Sequence, residues 1–418
     1  MIINTNTYIQ NKTFKQSFGN GRIKLYADFD RTFLPSTQKG IQNLGNASQV
    51  PALISYFDNF ARFLSRAGDT VRFSITTGRN LGEFKILASI IRAKGLKMPM
   101  PDSLITKNGG DEFLREGGID EFSRTGKFPF LRPNPAKRDR IKRQTNWDGA
   151  IVRAKIEEIL GYGYDFDIRR PVSTNSPNDY GDKSLFHTFR DDFNPQNPQF
   201  TPMSPWVVSI RQDGDLGISL GFPKNMRYAQ DRIQAEHDII GQIEQFFNEK
   251  GISRSIQKHD KDGDCGGHPT LTFTPTDKGK FYDSQQAVEE AIKENDMVIV
   301  AGDSSNDVQM LNPICYLDQN LFPEIRDFMY SPKDIVKLMD SNPRLAEAYR
   351  KLPLISIVVR NSDKSNECLE EFLEHYGKGK YKKIIGVQEG RLLEGIQEAV
   401  HLYKAQNAQF NLENKNLF

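Results

Sequence analysis

Short apolar runs rich in β-branched residues alternate with amphipathic stretches at both ends of this 418-residue chain. The apolar runs are 23–27, 71–76, 103–106, 297–301 and 354–359. Between the first of them, residues 50–66 and 81–94 place apolar side chains at helical spacing. Strands joined by such helices pair in parallel, because each right-handed crossover returns the chain to the end of the sheet at which the previous strand began. The pattern therefore predicts an α/β fold built on a parallel sheet.

The middle of the chain, from about residue 111 to 269, has a different character. Proline, asparagine and aspartate are concentrated between 171 and 205, and two β-prone runs flank a turn that contains Gly214. The predicted elements are a hairpin of 206–212 and 216–221 and helices at 146–160 and 228–250. We therefore predict an α+β domain at 111–269, inserted between the core segments 1–110 and 270–418.

Composition limits the kinds of partner that the chain can have. No apolar run approaches the ~18 residues that a membrane span requires, and the first 22 residues lack the pattern of a secretory signal. The three cysteines are too few and too far apart for a disulfide framework, which favours a cytoplasmic protein. Lys and Arg number 56 against 54 Asp and Glu, a balance that argues against a dedicated nucleic-acid binder.

Four carboxylates directly follow two of the predicted strands. Asp28 and Asp30 come after the first strand, and Asp303 and Asp307 come after the strand at 297–301. Ligands bind at the carboxyl ends of the strands in open α/β sheets, so these side chains are expected to meet there. Such a cluster repels itself unless a cation neutralises it, and oxygen ligands favour a hard ion. The sequence therefore predicts a site for Mg²⁺.

Two further segments supply groups suited to a phosphate ester. The strand at 71–76 ends beside Thr77 and Gly78, a hydroxyl and a residue that permits a tight turn. Lys278 stands near the start of a helical stretch, where its ammonium would offset negative charge on a transferring phosphoryl group. Together with the carboxylates, these residues indicate phosphoryl transfer to or from a small-molecule phosphate ester.

The segments DFDRT (28–32), TTGR (76–79), DKGK (277–280) and GDSSND (302–307) together resemble the four motifs of the haloacid dehalogenase superfamily. The resemblance covers about 20–110 and 270–400. It implies a Rossmann-like core, and the insert is similar to the C2-type cap that selects substrates in that superfamily. The run ITKNGG at 105–110 and, more weakly, the stretch at 395–397 resemble the sucrose-phosphatase and Cof-like branch, which implies a sugar phosphate as substrate.

The resemblance also implies a role for each matching residue. Asp28 would be the nucleophile that forms an aspartyl phosphate, and Asp30 the acid and base. Thr77 would bind a phosphoryl oxygen, and Lys278 would stabilise the nucleophile and the phosphoryl charge. The implied Mg²⁺ ligands are Asp28, Asp30 through its backbone carbonyl, Asp303 and Asp307. The implied phosphate- or substrate-binding residues are Thr32, Gly78, Arg79, Asn108, Ser304 and Asn306.

Two features depart from the family pattern. Arg31 stands where glycine is common in the first motif, and the segment 312–351 is longer than expected between the last motif and the next strand. The predicted insert is also larger than the cap of typical members. These departures leave the catalytic residues in place and affect the choice of substrate.

Other metal sites are disfavoured by their spacing. Residues 260–264 (DKDGD) are similar to the start of a calcium-binding loop, but Cys265 and Leu271 occupy the positions that require glycine and glutamate. His259, Cys265 and His268 lack a fourth zinc ligand at suitable spacing.

Two alternative functions remain open at this point. A phosphomutase of the same superfamily would use the same acids and return the phosphoryl group to a sugar hydroxyl. A binding module would instead use the basic run at 132–143, although a solvated helix face explains that run more simply. Because binding alone needs neither Asp28 nor Asp30, the sequence favours a phosphoric monoester hydrolase, with a phosphomutase as the alternative.

Overall fold

A computed structural model describes residues 21–35, 50–107, 109–163, 167–169, 207–212, 216–221, 229–259, 270–275, 279–304, 307–329, 331–360 and 367–407. The chain forms two compact units. The first comprises Met1–Gly78, Phe84–Pro133 and Lys280–Phe418, and the second comprises Arg79–Glu83 and Asn134–Gly279.

A seven-stranded sheet forms the centre of the first unit, in the order β12-β11-β10-β1-β2-β3-β4. Neighbouring strands are parallel, except that β4 runs antiparallel to β3. The strands are β1 (Ile23–Asp28), β2 (Val71–Thr76), β3 (Ser103–Thr106), β4 (Asp111–Leu114), β10 (Met297–Gly302), β11 (Leu354–Arg360) and β12 (Ile384–Gln388). The predicted α/β fold with a parallel sheet is therefore confirmed.

Helices connect these strands. They are α1 (Val50–Ala67), α2 (Leu81–Ala93), α3 (Glu121–Thr125), α7 (Lys280–Glu294), α8 (Val308–Leu311), α9 (Pro332–Ser341), α10 (Pro343–Lys351), α11 (Glu367–Tyr376) and α12 (Leu392–Gln406). Every residue of β10 is buried, and in β1 only Tyr26 is half-buried. Such nearly continuous burial is typical of parallel strands that are covered on both faces.

Aromatic side chains pack the region behind the end of β1. The ring of Phe33 lies 5.1 Å from the ring of Phe60 and 5.1 Å from that of Phe73, centroid to centroid. All three are buried. Large aromatic rings in offset or edge-to-face contact add to the stabilisation that comes from their buried area. This cluster anchors the loop that follows Asp28.

The long segment at 312–351 is a packed part of the first unit. Two amphipathic helices, α9 and α10, bury Ile335, Met339, Leu345 and Tyr349 in the same hydrophobic cluster as the strand residue Val300. Both helices begin with a proline at the first position, which suits a helix start because that residue needs no hydrogen-bond donor.

The predicted boundary at 110/111 differs from the one observed. β4 pairs with β3 in the register Ile105↔Glu112, and Phe113 is buried. Phe130 packs edge-on against Phe84 of the same unit. The segment from 111 to 133 therefore belongs to the first unit, because its apolar side chains complete the cluster at that end of the sheet.

The second unit contains a five-stranded sheet in the order β5-β6-β7-β9-β8. Its elements are α4 (Pro135–Thr145), α5 (Gly149–Gly163), β5 (Asp167–Arg169), β6 (Val207–Gln212), β7 (Ile218–Gly221), α6 (Ala229–Glu249), β8 (Arg254–His259) and β9 (Thr270–Pro275). The predicted hairpin is present as the antiparallel pair β6 and β7. Trp147, Phe247 and Phe273 lie in its hydrophobic core. In the part of the chain that the structure describes, no helix of either unit is long and apolar enough to cross a membrane.

Candidate active site

Three acidic side chains meet at the carboxyl edge of the large sheet. Asp28 is the last residue of β1, and Asp303 and Asp307 follow β10, which pairs with β1. Each of the three offers a carboxylate oxygen within 4.8 Å of the others, and all three are buried. The parallel pairing of β1 with β10 produces this meeting because it aligns the two strand ends.

The loop after β10 is folded around the Asp307 carboxylate. Its Oδ2 accepts hydrogen bonds from the backbone N–H of Asp303 (3.2 Å) and of Ser304 (3.3 Å), and from the Ser304 hydroxyl (3.0 Å). A Cβ added at Gly302 would lie 2.6 Å from the Cβ of Asp307. A side chain at position 302 would therefore require Asp307 to move.

Lys280 supplies the cation of the site. Its Nζ donates to Oδ1 of Asp28 at 2.8 Å and to Oδ1 of Asp307 at 2.8 Å, and its side chain is only 8% exposed. Lys280 is the first residue of α7 and follows Gly279, whose φ is 155°. The sequence-based expectation named Lys278 for this role, and Lys278 lies outside the described residues.

A tight loop follows Asp28 and carries Thr32 into the site. The backbone N–H of Phe33 donates to the Asp28 carbonyl at 3.1 Å, and that of Arg31 donates to the Leu34 carbonyl at 2.9 Å. The Thr32 hydroxyl donates to Oδ1 of Asp303 at 3.1 Å. Arg31 has φ 61°, in the left-handed region that favours glycine. The loop thus links the ends of β1 and β10 through a side-chain hydrogen bond.

Asp30 lies in this loop, half-buried, and is not part of the group of three buried carboxylates. Four carboxylates were expected to converge, and among the described residues three of them do so. Thr77 is fully buried just after β2, and its backbone N–H donates to the Ile105 carbonyl at 2.8 Å. Gly78 is exposed next to it.

The remaining predicted site residues are distributed as follows. Ser304 lies against Asp307, as described above. Arg79 is half-buried and belongs to the second unit. Asn108 and Asn306 lie outside the described residues.

Burial and the closeness of the three carboxylates shift the pKa values of the side chains in this cluster. Burial raises the pKa of Asp28 well above its ordinary value, and Asp307 and Asp303 raise it further, while Lys280 opposes this shift. Burial and the neighbouring Asp307 raise the pKa of Asp303 to about 6, against the opposing effects of Thr32 and Lys280. Burial disfavours the charged form of Lys280, yet Asp28 and Asp307 hold its pKa above the ordinary value.

The donor set fits a magnesium ion. Among the described residues, the three buried carboxylates share one ammonium, so this group keeps an excess of negative charge that a divalent cation would neutralise. All the candidate ligand atoms are oxygens, which Mg²⁺ prefers. Asp28, Asp303 and Asp307 are therefore the residues that could hold the ion.

Comparison with known proteins gives similarity in structure only. No protein-family model and no curated protein matches the chain. A sucrose-phosphatase from Synechocystis, solved with sucrose and phosphate, aligns over 91% of this chain and 98% of its own, at 12% identity and a TM-score of 0.43. A trehalose-6-phosphate phosphatase from Aspergillus fumigatus aligns over 93% and 94%, at 10% identity and a TM-score of 0.38.

A haloacid dehalogenase-like hydrolase from Bacillus subtilis aligns over 70% of this chain and 79% of its own, at 14% identity and a TM-score of 0.37. Similarity at this level does not assign an activity, which is therefore inferred from the residues of the site.

Proposed function

We propose that the chain is a Mg²⁺-dependent phosphatase of the haloacid dehalogenase type, which hydrolyses a small phosphate ester through an aspartyl phosphate on Asp28. The observation that carries this proposal is the position of Lys280, whose ammonium contacts both Asp28 and Asp307 at 2.8 Å. A buried carboxylate held by a lysine beside two further acids at a strand end is suited to attack on a phosphorus atom.

Asp28 acts as the nucleophile in this proposal. Lys280 holds its Oδ1 and favours the ionised form, which burial disfavours. A carboxylate oxygen attacks the phosphorus, a new O–P bond forms, and the bond from phosphorus to the ester oxygen breaks. Lys280 also remains close enough to stabilise charge on the phosphoryl oxygens.

Asp30 handles the protons. It lies two residues beyond the nucleophile and is half-buried, so a substrate and a water molecule can reach it. In the first step it gives a proton to the leaving alcohol. In the second it takes a proton from the water that attacks the aspartyl phosphate, which releases inorganic phosphate and regenerates Asp28.

Asp28, Asp303 and Asp307, with the backbone carbonyl of Asp30, would hold the magnesium ion. When bound, the ion neutralises the carboxylates and allows a phosphate dianion to approach them. The chain fixes these ligands in advance, because Thr32 donates to Asp303 and the loop N–H groups donate to Asp307. Thr77 and Ser304 are the proposed hydroxyl contacts for the phosphate.

The proposed substrate is a sugar phosphate. This part of the proposal rests on the resemblance of the run at 105–110 to sugar-phosphate phosphatases. The second unit is proposed to act as the cap that selects the substrate. Specificity then comes from contacts remote from the phosphorus atom, while the first unit carries the reacting groups.

A direct test uses p-nitrophenyl phosphate and a panel of sugar phosphates, each assayed with Mg²⁺ and with excess EDTA. We expect phosphate release that depends on Mg²⁺, and a phosphorylated peptide containing Asp28 after rapid acid quench. Asp28→Asn should abolish both, whereas the exposed Asp69→Asn, two residues after α1, should leave both unchanged. Full activity in EDTA, or a phosphopeptide in Asp28→Asn, would overturn the proposal. An isomerised sugar phosphate without phosphate release would indicate a mutase.

A further inference from the structure

Two helices start at residues of the site. Lys280 is the first residue of α7, and Asp307 directly precedes α8. The ammonium of Lys280 reaches the Asp307 carboxylate at 2.8 Å, so the geometry of the site depends on how these helix ends are placed relative to each other. The next question is what fixes that placement.

The hydroxyl of Tyr316 contacts both helices. It donates to the carbonyl of Met310, on α8, at 2.7 Å. It also lies 2.7 Å from the hydroxyl of Ser284, which is one turn after Lys280 on α7. The Ser284 hydroxyl also donates to the Phe281 carbonyl at 2.7 Å, so the two hydroxyls share two protons among three contacts.

These groups are sealed from water. Tyr316 is 1% exposed and Ser284 is fully buried. The ring of Tyr316 meets that of Phe281 edge-on, with centroids 4.9 Å apart. Burial holds the pKa of Tyr316 well above its ordinary value, so its proton remains available as a donor. Hydrogen bonds in such surroundings hold their partners firmly, since the alternative is an unsatisfied buried polar atom.

The contacts form a closed ring. It runs from Lys280 along one turn of α7 to Ser284, through the Tyr316 hydroxyl to Met310, back to Asp307, and across the ion pair to Lys280. We propose that Tyr316 and Ser284 are positioning residues that set the placement of the Lys280 ammonium against Asp307 and Asp28. This inference deepens the proposed phosphatase function and rests on it for its kinetic consequence.

Two other buried tyrosines provide matched controls. Tyr349 donates to the carbonyl of Tyr381 at 3.2 Å, within a part of the core formed by α10 and the segment before β12. Tyr376 is buried on α11, and its hydroxyl has no hydrogen-bond partner among the described residues. Tyr349→Phe therefore removes a buried hydrogen bond without touching the ring of contacts. Tyr376→Phe removes a hydroxyl and no hydrogen bond.

The kinetic test compares Tyr316→Phe and Ser284→Ala with the two controls on p-nitrophenyl phosphate. We expect kcat to fall about 10-fold or more in Tyr316→Phe, with KM within about 2-fold, because small displacements of positioned groups have large effects on the chemical step. The double variant Tyr316→Phe/Ser284→Ala should have a kcat only slightly below that of Tyr316→Phe alone, because both changes break the same contact. The controls should keep kcat within about 2-fold even where Tyr349→Phe lowers stability. A loss of kcat in Tyr316→Phe no larger than that in Tyr349→Phe would overturn the inference.

A second measurement does not depend on activity. Urea unfolding of Tyr316→Phe, Lys280→Met and the double variant should give midpoint shifts that do not add, because both residues belong to one ring of contacts. Tyr349→Phe combined with Lys280→Met should give shifts that add. Additive shifts in both pairs would refute the positioning role. An inactive parent protein with the expected non-additive shifts would refute the phosphatase and leave the placement of Lys280 by Tyr316 intact.

Discussion

The Lys280 ammonium and the Asp28 carboxylate form an ion pair of 2.8 Å in which each side chain is only 8% exposed. Buried pairs of this kind are costly to break, because the remaining charge loses its partner without regaining water. The pair holds the Asp28 carboxylate, the nucleophile of the proposed reaction, in place. Mutation can therefore test whether Lys280 or Lys278 has this role.

Lys280→Met and Lys278→Met separate the two candidate lysines. We expect Lys280→Met to lower kcat by about 10²–10³-fold, the effect of removing one donor that stabilises the transition state. Lys278→Met should change kcat only slightly. Steady-state kinetics with p-nitrophenyl phosphate measures both, and circular dichroism establishes that each variant is folded. The reverse order of effects would assign the role to Lys278.

Gly302→Ala tests the close approach of the loop to Asp307. The added Cβ would lie 2.6 Å from that of Asp307, so we expect a loss of roughly 1–3 kcal/mol in the free energy of unfolding and a loss of activity. Gly241→Ala is the control, because Gly241 lies in α6 with nothing within 4 Å of the new methyl group. It should gain about 0.5–1 kcal/mol, the difference in helix propensity. Equal stability changes would contradict the crowding at position 302.

Arg31 tests backbone strain beside the nucleophile. Its φ of 61° is uncommon for a residue with a Cβ. We expect Arg31→Gly to unfold with a free energy about 1 kcal/mol above that of Arg31→Ala, because both lose the side chain and only alanine keeps the strain. Denaturant titration of the two variants gives the difference directly. A more stable alanine variant would show that the loop relaxes to another conformation.

Asp303 gives the metal-free protein a specific pH dependence. Burial and Asp307 raise its folded-state pKa to about 6, above the value in the unfolded chain. The folded state therefore binds more protons between pH 4 and 6, and stability falls as pH rises through that window. In EDTA at pH 7.5, the free energy of unfolding of Asp303→Asn should therefore be higher than that of the parent protein by roughly 1–3 kcal/mol. The difference should disappear near pH 4. Urea unfolding at both pH values checks the sign.

Magnesium should stabilise the parent protein under the same conditions. Thermal unfolding at pH 7.5 should shift to higher temperature on addition of Mg²⁺, since an ion bound only by the folded state adds its binding free energy to stability. Asp303→Asn should show a much smaller shift. An equal shift in the two proteins would mean that the ion binds elsewhere.

The sequence was informative where one physical rule decided the outcome. Apolar runs bounded by polar residues predicted five of the seven strands of the large sheet within a residue, and parallel pairing then required Asp28 and Asp303 to meet at the carboxyl ends of the strands. The segment at 312–351 could be noted as long, but amphipathic helices do not reveal which surface they cover. Their packing against Val300 became visible only in the folded unit.

Other features depend on details that sequence patterns do not encode. Two lysines flank Gly279, and which of them reaches Asp28 depends on where α7 begins. β4 has only four residues and begins with two acids, so its pairing with β3 is set by the burial of Phe113 and not by its own composition. The hydrogen bond between Ser284 and Tyr316 joins residues far apart in the chain. In the sequence, Ser284 is typical of a helix and Tyr316 of a hydrophobic core, so neither indicates the contact.

The order of strands in the large sheet also bears on how the protein is made. β1 pairs on one side with β2, and on the other with β10 in the register Ile23↔Met297. On the ribosome, β1 therefore leaves the exit tunnel long before β10 exists, because the intervening chain, which includes the whole second unit, must be translated first. Until then, one edge of β1 has no partner strand and can pair with other chains. Asp28 is thus synthesised among the first residues of the site, yet its surroundings are completed among the last.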